Sequence, residues 1–254
     1  MINVHAIPAF EDNYLWLIHD NRHAVVVDPG DATPVLDALA TRQLQLVAIL
    51  VTHSHADHIG GIEALLRHAA VPVYGPAREP VPGLTHAVGD GSVVQIPALG
   101  LALEVLDVPG HTKGHVAYYG HKRLFCGDTL FAAGCGRIDQ PPAVMYASLE
   151  RLAALPGDTL VYCTHEYTAA NIRFALTVDG DNPALRERAS TVAELRAGGH
   201  ITLPSTIALE RATNPFLRCR EPALQRAAAD PDAKDMDAVA VFAMLRNLKN
   251  RFNG

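Results

Sequence analysis

The chain has 254 residues, of which 49% are hydrophobic and 19% charged, so it has enough apolar side chains for a buried core and is not an intrinsically disordered chain. Its formal net charge of -6 argues against a nucleic-acid-binding protein. No apolar run approaches the roughly 20 residues that cross a bilayer, and no basic segment followed by an apolar one opens the chain, so we expect a cytoplasmic protein with neither membrane span nor signal peptide.

Short apolar runs between turn residues predict a series of buried strands. The predicted strands are 24–27, 46–51, 71–74, 93–96, 101–108, 116–119, 124–126 and 159–163. Runs of this length are too short for helices, and their β-branched residues are typical of interior strands. Apolar stripes at helical spacing over 62–69 and 144–155 lie between them. This mixture predicts sheets flanked by helices rather than an all-β barrel.

The last third of the chain has a different pattern. From about residue 166 onward we expect helices only, over 171–178, 183–196 and 235–249. Pro183 stands near the first turn of the second of these, a position that favours proline. We therefore expect two domains, an α/β domain over residues 1–168 and an α-helical domain over residues 169–254.

The segment THSHADH follows directly on the predicted strand 46–51. It holds four potential metal ligands within six residues: His53, His55, Asp57 and His58. A regular strand or helix cannot direct all four to one side, but a loop can. Neutral imidazole and carboxylate are ligands of divalent metal ions. A polar surface loop is the alternative, but this spacing is far more specific than a lone pair of histidines, so it favours a metal site.

Three further ligand candidates each follow an apolar run: His111, Asp128 and His165. Taken singly, each could be a hydrogen-bonded loop residue, and only the repetition of the pattern points to a site. If their strands and strand 46–51 run side by side in the same direction, the candidates meet at one sheet edge.

Asp28, in the segment VDPG, is predicted to be a turn residue or a carboxylate that orients a ligand histidine.

Seven ligands exceed the four positions of one tetrahedral zinc ion. Two metal ions that share a bridging carboxylate fit better and leave a position for solvent on each. Bound metal lowers the pKa of water to about 7, so we expect hydrolysis. Zinc is the expected metal, with iron or manganese as alternatives, because His and Asp ligands accept all three.

The segments THSHADH, PGHT, CGDTLF and THEYT, in this order, resemble the metal motifs of the metallo-β-lactamase superfamily. The similarity narrows to the glyoxalase II family, the hydroxyacylglutathione hydrolases, because it extends to IPAFEDNYLWLI, VDPGD, AGCGR, HEYTAANIRFA, NPFLR and LRNLKNRF. The resemblance implies an α/β (α+β) fold, with an αββα sandwich over 1–168 and a helical, glutathione-binding domain over 169–254. It also implies hydrolysis of S-D-lactoylglutathione to D-lactate and glutathione, the second step of methylglyoxal degradation.

The resemblance also assigns roles to single residues. It implies that the first metal is bound by His53, His55 and His111. It implies that the second is bound by Asp57, His58 and His165, with Asp128 as the bridge. Asp57, His58 and Asp128 are then the catalytic residues, since they hold the metal-bound hydroxide that attacks the thioester. The implied glutathione contacts are Arg137, Tyr167, Asn171, Arg246 and Lys249.

One position departs from the family pattern. Two residues after Arg137, where the family has an aromatic glutathione contact, this chain has Asp139. A carboxylate there removes a stacking or hydroxyl contact and repels an anionic ligand, so we expect weaker glutathione binding that raises KM rather than lowers kcat.

Two other functions remain open at this point. A glutathione-persulfide (sulfur) dioxygenase is similar around the first motif and uses a single iron, so the number of metal ions per chain separates it from the hydrolase. A binding module with a vestigial metal site is the second alternative, although such proteins lose ligands and all seven positions are intact here. For the hydrolase we expect a monomer.

Overall fold

The computed structural model describes residues 2–228 and 236–252. The chain divides into two compact units: unit 1 comprises Met1–Val108 and Thr112–Gly127, and unit 2 comprises Pro109–His111 and Asp128–Gly254. None of the helices in the described ranges is long and apolar enough to cross a bilayer.

Unit 1 contains a sheet in the order β1-β2-β3-β4-β5-β6. These strands are Asn3–Ala9 (β1), Asn13–His19 (β2), His23–Val27 (β3), Gln45–Leu50 (β4), Val73–Pro76 (β5) and His86–Val88 (β6). β1, β2 and β3 are antiparallel neighbours, whereas β3 to β6 pair in parallel. The helices of this unit are Ala32–Arg42 (α1), Ala56–Ile59 (α2) and Ile62–His68 (α3).

Strand β3 is buried on both faces, as its unbroken apolar sequence predicts. Ala24 and Val26 pack in one core with residues of α1 and α3. Val25 and Val27 alternate with them, so they point to the opposite face, where both are also buried. The parallel pairing of β3 with β4 continues past the strand ends, since the Asp28 N–H donates to the Leu50 carbonyl at 2.9 Å. This pairing brings the segment after β3 beside the segment after β4.

The second group of strands in unit 1 is antiparallel throughout. It consists of Val93–Ile96 (β7), Leu101–Asp107 (β8), Val116–Gly120 (β9) and Arg123–Gly127 (β10). The Tyr118 hydroxyl of β9 donates to the Val51 carbonyl, 2.7 Å away, just beyond β4. β4 lies in a different sheet from β8 and β10, so the condition under which the candidate ligands would meet at one sheet edge is not fulfilled. An apolar run indicates a buried strand, but it carries no information about which sheet the strand joins.

Unit 2 contains most of the helices. They are Pro142–Ala153 (α4), Thr168–Asp179 (α5), Pro183–Ala197 (α6), Ile207–Thr213 (α7), Pro222–Ala228 (α8) and Ala238–Arg251 (α9). The predicted helices are confirmed as α4, α5, α6 and α9; residue 235, where the last was expected to begin, lies outside the described residues.

Short strands also occur in unit 2. They are Leu130–Phe131 (β11), Gly134–Cys135 (β12), Leu160–Cys163 (β13) and Ser205–Thr206 (β14). β11 and β12 form a hairpin, and β14 pairs with β13. The expectation of helices only after residue 166 is thus wrong at β14. A strand of two residues has no periodicity by which it could be recognised.

Candidate metal centre

Unit 1 brings together the four candidate ligands that follow β4. His53 Nε2 lies 2.9 Å from His55 Nδ1, and the centroids of the His53 and His58 rings are 4.0 Å apart. His58 Nε2 lies 3.6 Å from Asp57 Oδ2. His53 and His55 lie in the loop, whereas Asp57 and His58 lie in the short helix α2 that begins directly after it. The change from loop to helix within the motif allows all four side chains to converge.

The buried carboxylate of Asp28 lies beside Thr52 and His58. It accepts hydrogen bonds from the Thr52 N–H and the Thr52 hydroxyl, both at 2.7 Å, and its Oδ2 lies 3.1 Å from His58 Nδ1. Because the Thr52 hydroxyl proton is directed to Asp28, its oxygen accepts from His53 Nδ1 at 3.2 Å. The His53 ring thus directs its Nε2 toward His55, and Nδ1 of His58 faces the Asp28 carboxylate. Asp28 thus lies beside a candidate ligand histidine, and its role in orienting that ring stays a prediction.

Unit 2 brings together the other three candidates. His111 Nε2 and His165 Nε2 lie 3.5 Å and 3.3 Å from the same Oδ2 atom of Asp128. His111 Nδ1 donates to the Arg137 carbonyl at 2.9 Å, so Nε2 is the ring nitrogen that faces Asp128. Two imidazole nitrogens thus converge on one carboxylate oxygen. This donor set therefore fits a divalent metal ion.

A cavity of about 360 Å³ lies in unit 2, and all five candidate glutathione contacts line it. The lining residues are Phe131, Cys135, Arg137, Tyr167, Ala170, Asn171, Arg246, Lys249, Asn250 and Phe252. Sequence reasoning missed five of them: Phe131, Cys135, Ala170, Asn250 and Phe252. All five stand in segments that carry the family resemblance: Phe131 in CGDTLF, Cys135 in AGCGR, Ala170 in HEYTAANIRFA, and Asn250 and Phe252 in LRNLKNRF.

Two cations of α9 give the cavity its positive charge. The buried Arg246 donates to the Cys135 carbonyl at 3.0 Å, and Lys249 Nζ donates to the Ala170 carbonyl at 3.2 Å. Burial, with the charges of Arg246 and Arg173, lowers the pKa of Lys249 to about 8. Within the described ranges neither Arg246 nor Lys249 has an ion pair with a carboxylate. The cavity is therefore suited to an anionic ligand.

Two other residues that line the cavity, Asn171 and Cys135, are buried in unit 2. Asn171 is buried and donates to the Ala132 carbonyl at 3.1 Å, which fastens α5 to the β11–β12 hairpin. A side chain at Gly134 would come within 2.4 Å of the Asn171 amide, so the hairpin requires glycine there. Burial raises the pKa of the Cys135 thiol, which therefore stays neutral and is a poor nucleophile.

Asp139 is exposed and is not among the residues that line the cavity. Its backbone N–H donates to the Gly110 carbonyl at 2.9 Å, one residue before His111. Its expected effect on ligand binding stays a prediction.

Comparison with known proteins identifies two matching families. Residues 10–165 match the metallo-β-lactamase superfamily, and residues 166–252 match the C-terminus of hydroxyacylglutathione hydrolases. A hydroxyacylglutathione hydrolase of Nitrosomonas eutropha is 53% identical over 254 residues, which cover 99% of this chain and 100% of that protein.

Two solved structures are also similar. The BLEG-1 B3 metallo-β-lactamase is 26% identical with a TM-score of 0.62, over 85% of this chain and 99% of that one. ETHE1 from Myxococcus xanthus is 28% identical with a TM-score of 0.59, over 87% of this chain and 100% of that one.

Proposed function

Because the chain belongs to the hydroxyacylglutathione hydrolase family of the metallo-β-lactamase superfamily, we propose that it hydrolyses S-D-lactoylglutathione to D-lactate and glutathione. Family membership confirms the predicted α+β class, a metallo-β-lactamase fold followed by a helical C-terminal region, and the expectation of a metal-dependent hydrolase. The observation that carries the choice of substrate is the cationic cavity of unit 2, which all five expected glutathione contacts line.

The seven candidate ligands would hold two divalent ions. In this proposal His53, His55 and His111 would bind the first ion, and Asp57, His58 and His165 would bind the second. Asp128 would be a ligand of both. The Nδ1 contacts of His53, His58 and His111 support it, because each leaves Nε2 available. The chemistry that such ions supply when bound is polarisation of the thioester carbonyl and a lowering of the pKa of water to about 7.

The side chains of the cavity would bind and orient the glutathione half of the substrate. Arg246 and Lys249 would bind its carboxylates from buried and half-buried positions, and the exposed Arg137 would add a third cation. Tyr167 and Asn171 would complete the contacts. The leaving group is a thiolate whose acid has a pKa near 8.5, so its expulsion requires no strong general acid from the protein.

The two alternatives are weaker. A glutathione-persulfide dioxygenase with one iron is disfavoured because residues 166–252 match the C-terminus of hydroxyacylglutathione hydrolases. A vestigial site is disfavoured because all seven ligand positions are retained and the side chains within each unit converge.

Several finer assignments belong to the same proposal. We propose zinc as the metal, with iron or manganese as alternatives. We propose a catalytic domain over residues 1–168 and a glutathione-binding domain over 169–254, supported by a family match that changes at residue 166. We also propose a cytoplasmic monomer that binds neither nucleic acid nor membrane.

Substrate discrimination tests the proposed function. The metal-loaded protein should hydrolyse S-D-lactoylglutathione far faster than the D-lactoyl thioester of an uncharged thiol, because only glutathione offers carboxylates to the cavity. Arg246→Met should abolish this preference. His68→Ala, which changes an exposed histidine of α3, is the matched control and should retain it. Equal rates on both thioesters would refute glutathione recognition.

A further inference from the structure

We propose that Glu79 is a positioning residue that joins the loop carrying His53 and His55 to the segment that follows His111, and thereby sets the affinity of the site for metal. The inference rests on the proposed ligand roles of those histidines. It concerns a residue that neither motif contains and that lies 25 positions from Ser54 and 33 from Thr112.

One carboxylate of unit 1 makes all of the contacts. The Ser54 N–H, between His53 and His55, donates to Glu79 Oε2 at 2.7 Å. The Gly114 N–H donates to Oε1 at 2.9 Å, and the Thr112 hydroxyl donates to the same atom. Each oxygen therefore serves a different segment. Hydrogen bonds to an ionised carboxylate are about twice as strong as those between neutral groups.

The chemistry of the three donors requires a carboxylate. Two are backbone N–H groups and one is a hydroxyl, so the side chain facing them must accept at both ends. A glutamine at position 79 would place its NH₂ group against a donor at one end, so the hydrogen bond to that segment would be lost. The ionised glutamate satisfies both.

The turn that carries Glu79 is itself held in place. It follows β5 directly, and its backbone donates back to the strand, from the Glu79 N–H to the Pro76 carbonyl at 3.3 Å. The Ala77 N–H donates to the Val88 carbonyl of β6 at 2.9 Å. Arg78 forms an ion pair with Asp107, the last residue of β8. The carboxylate therefore projects from a fixed support.

Close approach at Gly114 is a second, independent sign of this arrangement. A Cβ atom there would lie 2.6 Å from Glu79 Cγ, closer than such atoms can come. The φ angle of Gly114 is not one that demands glycine, so the requirement comes from the Glu79 side chain. Gly114→Ala would push the carboxylate away without removing it.

The affinity for metal distinguishes a residue that positions metal ligands from one that only stabilises the fold. Residues that orient metal ligands change affinity by about 10- to 100-fold when they are mutated. The affinity of the metal-free protein for Zn²⁺, measured by competition with a chelator, should fall by that factor in Glu79→Ala. The fall should be smaller in Glu79→Gln and Gly114→Ala. Glu63→Gln, an exposed carboxylate of α3, is the matched control and should bind as the wild type does.

The thermal midpoint of each metal-free protein completes the test. We expect the midpoint of Glu79→Ala to match the wild type while its zinc affinity falls. Unchanged affinity in a folded Glu79→Ala protein would overturn the inference, and so would a loss of affinity that merely follows a loss of stability. If Glu79→Ala does not fold, the zinc affinity and the thermal midpoint of Glu79→Gln and Gly114→Ala are measured instead. Unchanged affinity in these variants, or a loss of affinity that follows a loss of stability, would overturn the inference. A wild-type protein that binds zinc but leaves S-D-lactoylglutathione intact would refute the proposed substrate and not this inference.

Discussion

Tyr167 lies flat against His165: the ring centroids are 4.7 Å apart and the planes differ by 2°. Phe131 meets both rings edge-on, at 5.7 Å from His165 and 5.4 Å from Tyr167. Since Tyr167 and Phe131 also line the cavity, the same aromatic cluster supports a candidate metal ligand and forms part of a ligand-binding wall. Within unit 2, the expected site of chemistry and the expected site of substrate binding are thus physically continuous.

The first prediction concerns this stack. Tyr167→Ala removes an aromatic contact, which is worth about 0.5–1.5 kcal/mol beyond its buried area, so kcat/KM for S-D-lactoylglutathione should fall by up to about 10-fold. Tyr167→Phe keeps the ring and should retain the support of His165, which isolates any contribution of the hydroxyl to KM. Wild-type kinetics in Tyr167→Ala would show that the stack has no function.

The second prediction concerns Asp28. Asp28→Asn leaves the size of the side chain unchanged but removes the negative charge beside Nδ1 of His58 and replaces an acceptor of the Thr52 hydroxyl, which contacts His53. Zinc affinity should fall by about 10- to 100-fold. Asp37→Asn, an exposed position on α1, serves as the control. Equal zinc binding by both variants in a chelator competition would contradict the predicted role of Asp28.

The third prediction is a pH dependence caused by Lys249. This ammonium group faces Arg246 on its own helix, Arg173 on α5 and Cys135 on β12, and burial with the two arginines lowers its pKa to about 8. A lysine loses its charge above its pKa, so kcat/KM for the anionic substrate should decline as the pH rises through about 8.

Two comparisons check this assignment of the pH dependence. Lys249→Arg keeps its charge throughout this range, so its profile should lack the decline near pH 8. The thioester of an uncharged thiol should also show no decline with the wild-type enzyme. A decline that persists in Lys249→Arg would assign the titration to another group.

The fourth prediction concerns the stability of unit 2. Arg188 and Glu210 form a buried ion pair at 2.6 Å, and Glu210 also accepts from the Ala133 N–H of the β11–β12 hairpin at 2.8 Å. Arg188→Ala leaves Glu210 as a buried, uncompensated charge, so the free energy of unfolding should fall by about 3–5 kcal/mol. Arg186→Ala, which breaks an exposed pair with Asp181, should change it by less than about 1 kcal/mol. Urea denaturation measures both, and similar values would contradict the prediction.

The fifth prediction follows from Asp139. Asp139→Tyr restores an aromatic residue where the family has one and removes a negative charge, so KM for S-D-lactoylglutathione should fall while kcat stays unchanged. Asp181→Tyr, at an exposed position beyond α5, is a control for the substitution. An unchanged KM would show that Asp139 does not weaken glutathione binding.

The candidate ligands could be predicted from the sequence because motif spacing is local: His53 to His58 lie within six residues, and Asp28 follows a recognisable strand. Strand β1 was missed because Pro8 interrupts its weak pattern, which an edge strand tolerates. Glu79 could not be found at all. Its partners are 25 to 35 residues away, and the sequence around it has no feature of a metal motif.

Release of glutathione from S-D-lactoylglutathione by the purified wild-type protein is the most direct test of the proposed function. The rate should be lost after treatment with a chelator and should return when zinc is restored, with two equivalents bound per chain. No hydrolysis by a fully metal-loaded sample, or hydrolysis that persists without metal, would contradict it.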